Sequence, residues 1–199
     1  MKIISINIGT VANLFDPVPG QSAGIKTGIH KHPVAGAVAV GRMGLHGDEQ
    51  ADLSLHGGLD KAVYAYPVEH YAFWDAQRQA SSKRAVADVA LTSGAMGENL
   101  TLEGLLETEV WIGDRLLIGA VTLQVSEPRN PCFKFNARMG INRASKLMVQ
   151  SGFSGFYLRV VETGSLRAGD AITLVPGARE VALASLHEQR RKGRQYDLF

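Results

Sequence analysis

One cysteine stands in the whole chain, Cys132, within EPRNPCFKF at residues 127 to 135. Arg129 and Lys134 flank it, and Pro128 and Pro131 stiffen the backbone that carries it. A single cysteine can neither close an intrachain disulfide nor build a cysteine-rich zinc site. It is therefore a buried apolar filler or a functional thiolate. Cationic neighbours favour the anionic sulfur, and a thiolate is a soft metal ligand.

Charge is unevenly spread around that residue. Residues 48 to 127 carry thirteen acids against five bases, whereas residues 128 to 161 carry six bases (Arg129, Lys134, Arg138, Arg143, Lys146, Arg159) and no acid. The first 47 residues are similarly basic, with Lys2, Lys26, Lys31 and Arg42 against Asp16 alone. If the two basic windows meet in space they form an anion site; if they do not, they are solvated surface.

Three further stretches hold residue types able to bind a polar ligand. GLHGDEQADLSLHGGLDKAVYAY places His56, Gly57, Gly58, Asp60 and Lys61 directly ahead of an expected strand. Glycines there let backbone N–H groups approach a ligand, and His56 and Lys61 add positive charge for a phosphate or another anion. A Gly-Gly turn capped by a histidine has the same pattern. Asp48, Asp52 and His56, spaced by four, also raise a metal site, although Gly47 and Gly57 bound the segment and nothing makes it a helix with one ligand face. In GAMGENLTLEGL, Asn99 offers both donor and acceptor to a heterocycle edge, or to its own backbone. In TGIHKHPV, an extended backbone turns Lys31 away from His30 and His32, so the three cannot share one pocket.

The elements that must position these residues read as mostly strand. VTLQVS alternates Val121, Leu123 and Val125 with Thr122, Gln124 and Ser126, the period of a half-buried strand. KIISINI, VAGAVAV, AVYAY, EVWIGDRLLIG, FYLRVVE and DAITLVP are further candidates, and Gly113-Asp114 and Gly169-Asp170 mark tight turns. Many short strands with glycine turns predict a barrel. Helices are expected over PVEHYAFWDAQRQA with Pro67 in its first turn, over NRASKLMVQSG ended by Gly152, and over the basic REVALASLHEQRRK. ASSKRAVAD is the expected exposed loop.

Composition sets the outer limits. The chain has 199 residues, 45% hydrophobic and 20% charged, with 22 glycines and a net charge of +2, and it suits one domain with a short appendage. No apolar run approaches the roughly 20 residues of a membrane span, and MKIISINIGT lacks the layout of a signal peptide, so the expected location is the cytoplasm. No repeat and no G-x-G-x-x-G nucleotide fingerprint is present.

Taken in order, TGIHKHPV, GLHGDEQADLSLHGGLDKAVYAYP, GENL, VWIGDRLLIG, VSEPRNPCFKF and GFYLRVVETG resemble the MOSC domain family, and most closely its stand-alone, YiiM-like bacterial branch. The resemblance spans about residues 1 to 176 and implies a mainly β fold with a few helices: a closed MOSC-type β-barrel over residues 1–176, short peripheral helices, and a basic helical tail over 177–199. It implies a molybdenum cofactor, a pyranopterin dithiolene with a phosphate. Cys132 would be the ligand to molybdenum, and Lys31, His56, Gly57, Gly58, Lys61, Asn99 and Arg129 would bind the cofactor. The implied activity is reduction of N-hydroxylated compounds, base analogues such as 6-hydroxylaminopurine among them, in detoxification. Electrons would come from a separate flavoprotein reductase, with no nucleic-acid polymer or membrane as partner and a monomeric or homodimeric state. Two other readings stay open: a persulfide or cofactor carrier, and a non-catalytic anion-binding module. The sequence departs from the family pattern in two places. NRASK lacks an acid that some relatives carry there, and many relatives continue into further helices after the segment ending in QRRKGRQYDLF.

Overall fold

The structure, a computed structural model, describes residues 1–15, 24–53, 56–81 and 90–196. Among them run the strands β1 (Lys2–Ile8), β2 (Ala12–Asn13), β3 (Lys26–Thr27), β4 (His32–Pro33), β5 (Val38–Gly41), β6 (Gly44–Leu45), β7 (Val63–Pro67), β8 (Leu100–Glu103), β9 (Arg115–Ile118), β10 (Val121–Pro128), β11 (Phe156–Glu162), β12 (Gly164–Leu166) and β13 (Thr173–Val175). Four α-helices join them: α1 (Tyr71–Ser81), α2 (Phe133–Met139), α3 (Ala144–Ser151) and α4 (Leu183–Tyr196).

Eight strands form one sheet in the order β13-β9-β10-β11-β7-β8-β1-β4. Its pairs are antiparallel except for β7 with β8, which run parallel. The sheet curls until the lead-in to β13 meets β1 again: Ile3 N–H donates to Asp170 O (3.0 Å), Gly169 N–H to Ile3 O (2.8 Å) and Ile172 N–H to Met1 O (3.1 Å). The expected closed barrel is thus a strongly curled half-barrel, joined across its seam by a few loop bonds rather than by a full ladder.

Strand alternation explains the two hydrophobic layers. On β7, Val63 and Ala65 point into the curl and pack with Ile3, Leu100, Leu123 and Phe156, whereas Tyr64 and Tyr66 point outward. On β11, Leu158 and Val160 face the same interior and Tyr157 faces out. The outward aromatics meet α1, α2 and α3 in a second cluster with Trp74, Met96, Phe135 and Met148. Every residue of β7 is therefore buried, although the strand covers only five positions.

Several local expectations shift. Pro67 ends β7 and precedes a short 3-10 turn, Val68–His70, instead of opening the helix, which starts at Tyr71. The physical reason is its extended backbone (φ −68°, ψ 127°), which extends the β7 pairing to Leu102. EVWIGDRLLIG is strand only over Arg115–Ile118, because Gly113 turns at φ 90° and Asp114 takes backbone bonds there. Helix α2 has no counterpart among the expected elements: seven residues are too few to show a period, although Gly140 (φ 69°) closes it as a left-handed C-terminal residue. Gly152 closes α3 as expected. Most of ASSKRAVAD lies outside the described residues.

The C-terminal segment is tied to the sheet over its described part. Leu183 is fully buried in the interior cluster, Ile112 N–H donates to Val181 O (3.0 Å), and Gly177 N–H donates to Asp114 Oδ1 (2.7 Å). Arg190 Nη1 donates to the carbonyls of Pro128 (3.0 Å) and Arg129 (3.3 Å), so α4 braces the strand end that leads to Cys132.

Candidate functional site

A cavity of about 90 Å³ opens where the segments around Lys31, His56, Asn99 and Cys132 converge. Six of the residues singled out from the sequence line it: Lys31, His56, Lys61, Asn99, Arg129 and Cys132. Gly57 and Gly58 adjoin His56 without lining the cavity themselves. Gly58 holds φ 87°, a conformation open to glycine, and its N–H donates to Gln50 Oε1 (2.8 Å), which fixes the turn beside the pocket.

Cys132 caps the short helix α2 and is half-buried. Burial alone would push its thiol up. The His56 hydrogen bond, the Lys134 backbone N–H and the positive charges of His56 and Arg129 more than offset this, lowering the thiol from an ordinary 9.0 to about 7. The main influence that favours the anionic sulfur is thus His56, with Arg129 adding its charge and Lys134 acting through its backbone N–H.

Arg129 is buried between the rings of Tyr64 and Phe135, its guanidinium carbon 4.8 Å from each centroid. Nη1 donates to Met96 O (2.5 Å) and Tyr64 Oη (3.1 Å). Burial disfavours its charge, but the fields of Tyr64 and Tyr157, the bond to Tyr64 and the field of Cys132 hold its pKa above the ordinary value. Among the described residues its Nε and Nη2 take no hydrogen bond, so a fixed cation keeps spare donors at the pocket wall.

Lys31 and Asn99 have their polar atoms engaged within the protein. Lys31 pairs with Asp48, both side chains buried, and Asp48 also accepts Gly9 N–H (2.9 Å) and Asn99 Nδ2 (2.9 Å). Asn99 Oδ1 accepts Tyr64 N–H (3.0 Å). This hub pins the segments around residues 9, 31, 48 and 99 to β7. As the extended backbone required, Lys31 turns inward while His32 is exposed and His30 only half-buried. Lys61 pairs with Glu127 at 3.4 Å, and Lys134 Nζ donates to Lys26 O (2.8 Å), which joins the two basic windows across the pocket.

Acids join the residues assigned to the cofactor: Asp48 and Asp52, which the sequence raised only as metal ligands, and Glu49 line the same cavity. Long-range bonds carry them there: Glu49 N–H donates to Gly9 O (2.9 Å) and Val11 N–H to Glu49 Oε2 (2.6 Å). Tyr64 and Tyr157 also line the cavity, and their only sequence signal is an outward position on a half-buried strand. Gly28 and Gly97 complete the wall, where side chains would not fit: a Cβ on Gly97 would lie 2.7 Å from Ile29 Cγ1. The four-residue spacing of Asp48, Asp52 and His56 does not make a metal centre, since the described residues contain no group of three or more His, Cys, Asp or Glu arranged to hold an ion. Glu98, fully buried next to Asn99, accepts bonds from Gly94 N–H (2.7 Å), Met96 N–H (3.0 Å), Thr101 Oγ1 (2.8 Å) and Tyr71 Oη. Burial raises its pKa, and its bonds fix the loop that holds Arg129.

A curled β-sheet with a thiolate-bearing pocket at its rim defines the class. The MOSC domain sequence model matches residues 52–173, and the chain belongs to the MOSC domain family. Within it the chain sits with the stand-alone YiiM-like branch. It is 39% identical to YflK of Bacillus subtilis over 174 residues, 87% of this chain and 73% of that protein. It is 36% identical to YiiM of Escherichia coli over 160 residues, 80% of this chain and 69% of that protein. A Gibberella moniliformis protein named Reductase is 40% identical over 152 residues, which span 76% of this chain but only 26% of that protein. Crystal YiiM from Geobacillus stearothermophilus superposes with a TM-score of 0.74 at 33% identity, covering 97% of this chain and 85% of that one. No described helix is long and apolar enough to cross a membrane.

Proposed function

We propose that this protein is a molybdenum-cofactor-dependent reductase of N-hydroxylated compounds, base analogues such as 6-hydroxylaminopurine included, supplied with electrons by a separate flavoprotein. One observation carries the reading: a half-buried thiol that His56 and Arg129 help lower to about 7 shares a pocket with Lys31, Lys61 and Lys134. A soft thiolate suits molybdenum, and guanidinium and ammonium groups suit a pterin phosphate. The spare Nε and Nη2 donors of Arg129 mark where an anion would be received. The donor set therefore fits the cofactor.

In that arrangement Cys132 would hold the metal, while Arg129, Lys61 and His56 would receive phosphate and pterin, and Gly57 and Gly58 would shape the turn that carries His56. Bound there, the cofactor supplies two electrons to an N–O bond, which with two protons becomes N–H and water. The chain's own residues set the conditions for this. His56 keeps the sulfur anionic, Tyr64 and Phe135 hold the Arg129 plane, and the Lys31–Asp48–Asn99 hub keeps the pocket walls at fixed separation. Glu49 and Asp52 line the same pocket, and carboxylates are acceptors suited to a substrate's N–H groups.

The same thiolate also favours a second reading, a persulfide carrier. Assay of purified protein for molybdenum, pterin and cyanide-releasable sulfur separates them. Stoichiometric molybdenum and pterin with turnover of N-hydroxylated substrate by a reduced artificial donor supports the reductase. Releasable sulfur without metal supports the carrier, and neither supports an anion-binding module. In the reductase, Cys132→Ser retains pterin and loses at least about a hundredfold in turnover. Wild-type turnover by the serine variant would overturn the ligand role.

A further inference from the structure

A second cavity, about 280 Å³, lies between the C-terminal end of α3, one face of α4 and the turn at residues 106–108. Ala184, His187, Glu188 and Arg191 reach it from α4 at the three- and four-residue spacing of one helix face. None of these residues belongs to the Cys132 pocket.

Two histidines line it, His70 at 7% and His187 at 8% exposure. Each has one ring nitrogen held by the protein. His70 Nε2 lies 2.7 Å from Glu107 Oε2, and since the carboxylate accepts, Nε2 carries the proton. His187 Nε2 lies 2.7 Å from Ser154 Oγ, whose own proton goes to Gly155 O at 2.6 Å, so here too Nε2 donates. In the neutral rings both Nδ1 atoms are then acceptors. Burial lowers the pKa of His187, in keeping with its neutral form. Neither Nδ1 takes a hydrogen bond among the described residues. Both unbonded Nδ1 atoms keep accessible surface, because Asn13 Oδ1 alone among the described residues is a buried side-chain N or O without a partner, and an accessible acceptor can be met by a ligand or by water.

The remaining surroundings select the ligand. Leu106, Val149 and Phe153 supply apolar surface, and Phe153 stacks on His70 at 3.9 Å with the planes 10° apart, leaving a flat wall. The carbonyl end of α3 and the Glu107 carboxylate, which already accepts from His70 and Gly155 N–H, add negative potential, and Arg191 brings a positive charge to the same cavity. The described residues contain no group of three or more His, Cys, Asp or Glu arranged to hold a metal ion. We infer that this cavity is a second small-molecule site for a compact planar ring that bears an O–H or N–H donor, received by the paired imidazoles. The aromatic run His70–Tyr66–Tyr64, with centroids 5.9 and 6.3 Å apart, connects it to the wall of the Cys132 pocket.

Phenol and toluene serve as probes of equal shape that differ in the donor. Ligand titration followed by NMR uses the full chain with Cys132 blocked by iodoacetamide, so that the first pocket is closed to them. Saturable binding of phenol at millimolar concentration, about tenfold tighter than toluene, is expected. The Ala184→Trp variant, which fills the cavity from the half-exposed face of α4, should abolish that binding while keeping the spectrum of the folded chain. Should that variant unfold, His187→Phe gives the same reading by removing one acceptor and the preference for phenol. Absence of saturable phenol binding, equal binding of toluene, or binding that survives both substitutions overturns the site.

Discussion

Replacing His56 by phenylalanine in metal-free protein tests what makes Cys132 reactive. In the intact pocket burial opposes ionisation and the His56 bond is the largest favourable influence, so that the thiol titrates at about 7. Phenylalanine keeps the ring but neither donates nor carries charge. The Lys134 N–H and Arg129 are left alone against desolvation, and the thiol rises by about one to two units. At pH 7 the thiolate fraction then falls from about one half to about 1–10%. The more basic thiolate is intrinsically about 3–8 times more nucleophilic, so iodoacetamide alkylation at pH 7 slows by only roughly 2–6-fold. Above about pH 9 the order reverses and the variant reacts faster, because both thiols are then ionised. The full rate profile is therefore the assay, with a midpoint that climbs from about 7 towards the ordinary thiol value of 9.0. The linked stability has the same sign: a depressed thiol pKa contributes stability that is complete above the ordinary value and lost as pH falls through about 7. A wild-type midpoint at the ordinary thiol value, or an unchanged midpoint in the variant, would refute the account.

Three other outcomes follow from the packing. Asp48→Asn leaves the Lys31 ammonium buried without its carboxylate and should cost about 3–5 kcal/mol in urea unfolding; an unchanged midpoint would remove the hub from the site's architecture. Arg129→Lys keeps the charge but loses the planar contact with Tyr64 and Phe135, a loss of about 1–2 kcal/mol with a clear drop in retained pterin, and full retention would count against the assigned contact. Leu183→Ala should cost about 2–5 kcal/mol, read by thermal or chemical unfolding, because that side chain is fully enclosed by the sheet interior; a cost near zero would show that α4 contributes nothing to the core.

Much of the site was legible in local residue chemistry. Cys132 beside Arg129 already favoured a thiolate, but the largest lowering influence is His56, a residue far away in the chain, and Lys134 acts through its backbone N–H rather than its charge. That Lys31 faces away from His30 and His32 followed from strand alternation, whereas which of the two faces is buried was decided by the fold. The acids in the pocket were legible only in part: Asp48 and Asp52 were raised as metal ligands beside His56, and Glu49 was not raised at all. Their placement depends on bonds to residues 9 and 11, about 38 positions earlier in the chain. Nor could the sequence reveal that Asn99 and Lys31 direct their polar atoms to Asp48, because that choice is made only when three distant segments meet.

What the sequence determined by itself is whatever depends on neighbours within a few residues. The period of two in β10, the glycine turns at Gly113 and Gly169, and the C-terminal closure of α3 at Gly152 are all of that kind. Tertiary structure alone decided the seam where residues 169–172 return to β1, the aromatic layer outside the curl, and the second cavity between α3 and α4. The reason is physical: local pattern sets which face of an element is apolar, while the partner that covers that face is selected by the energy of burial and hydrogen bonding across the whole chain.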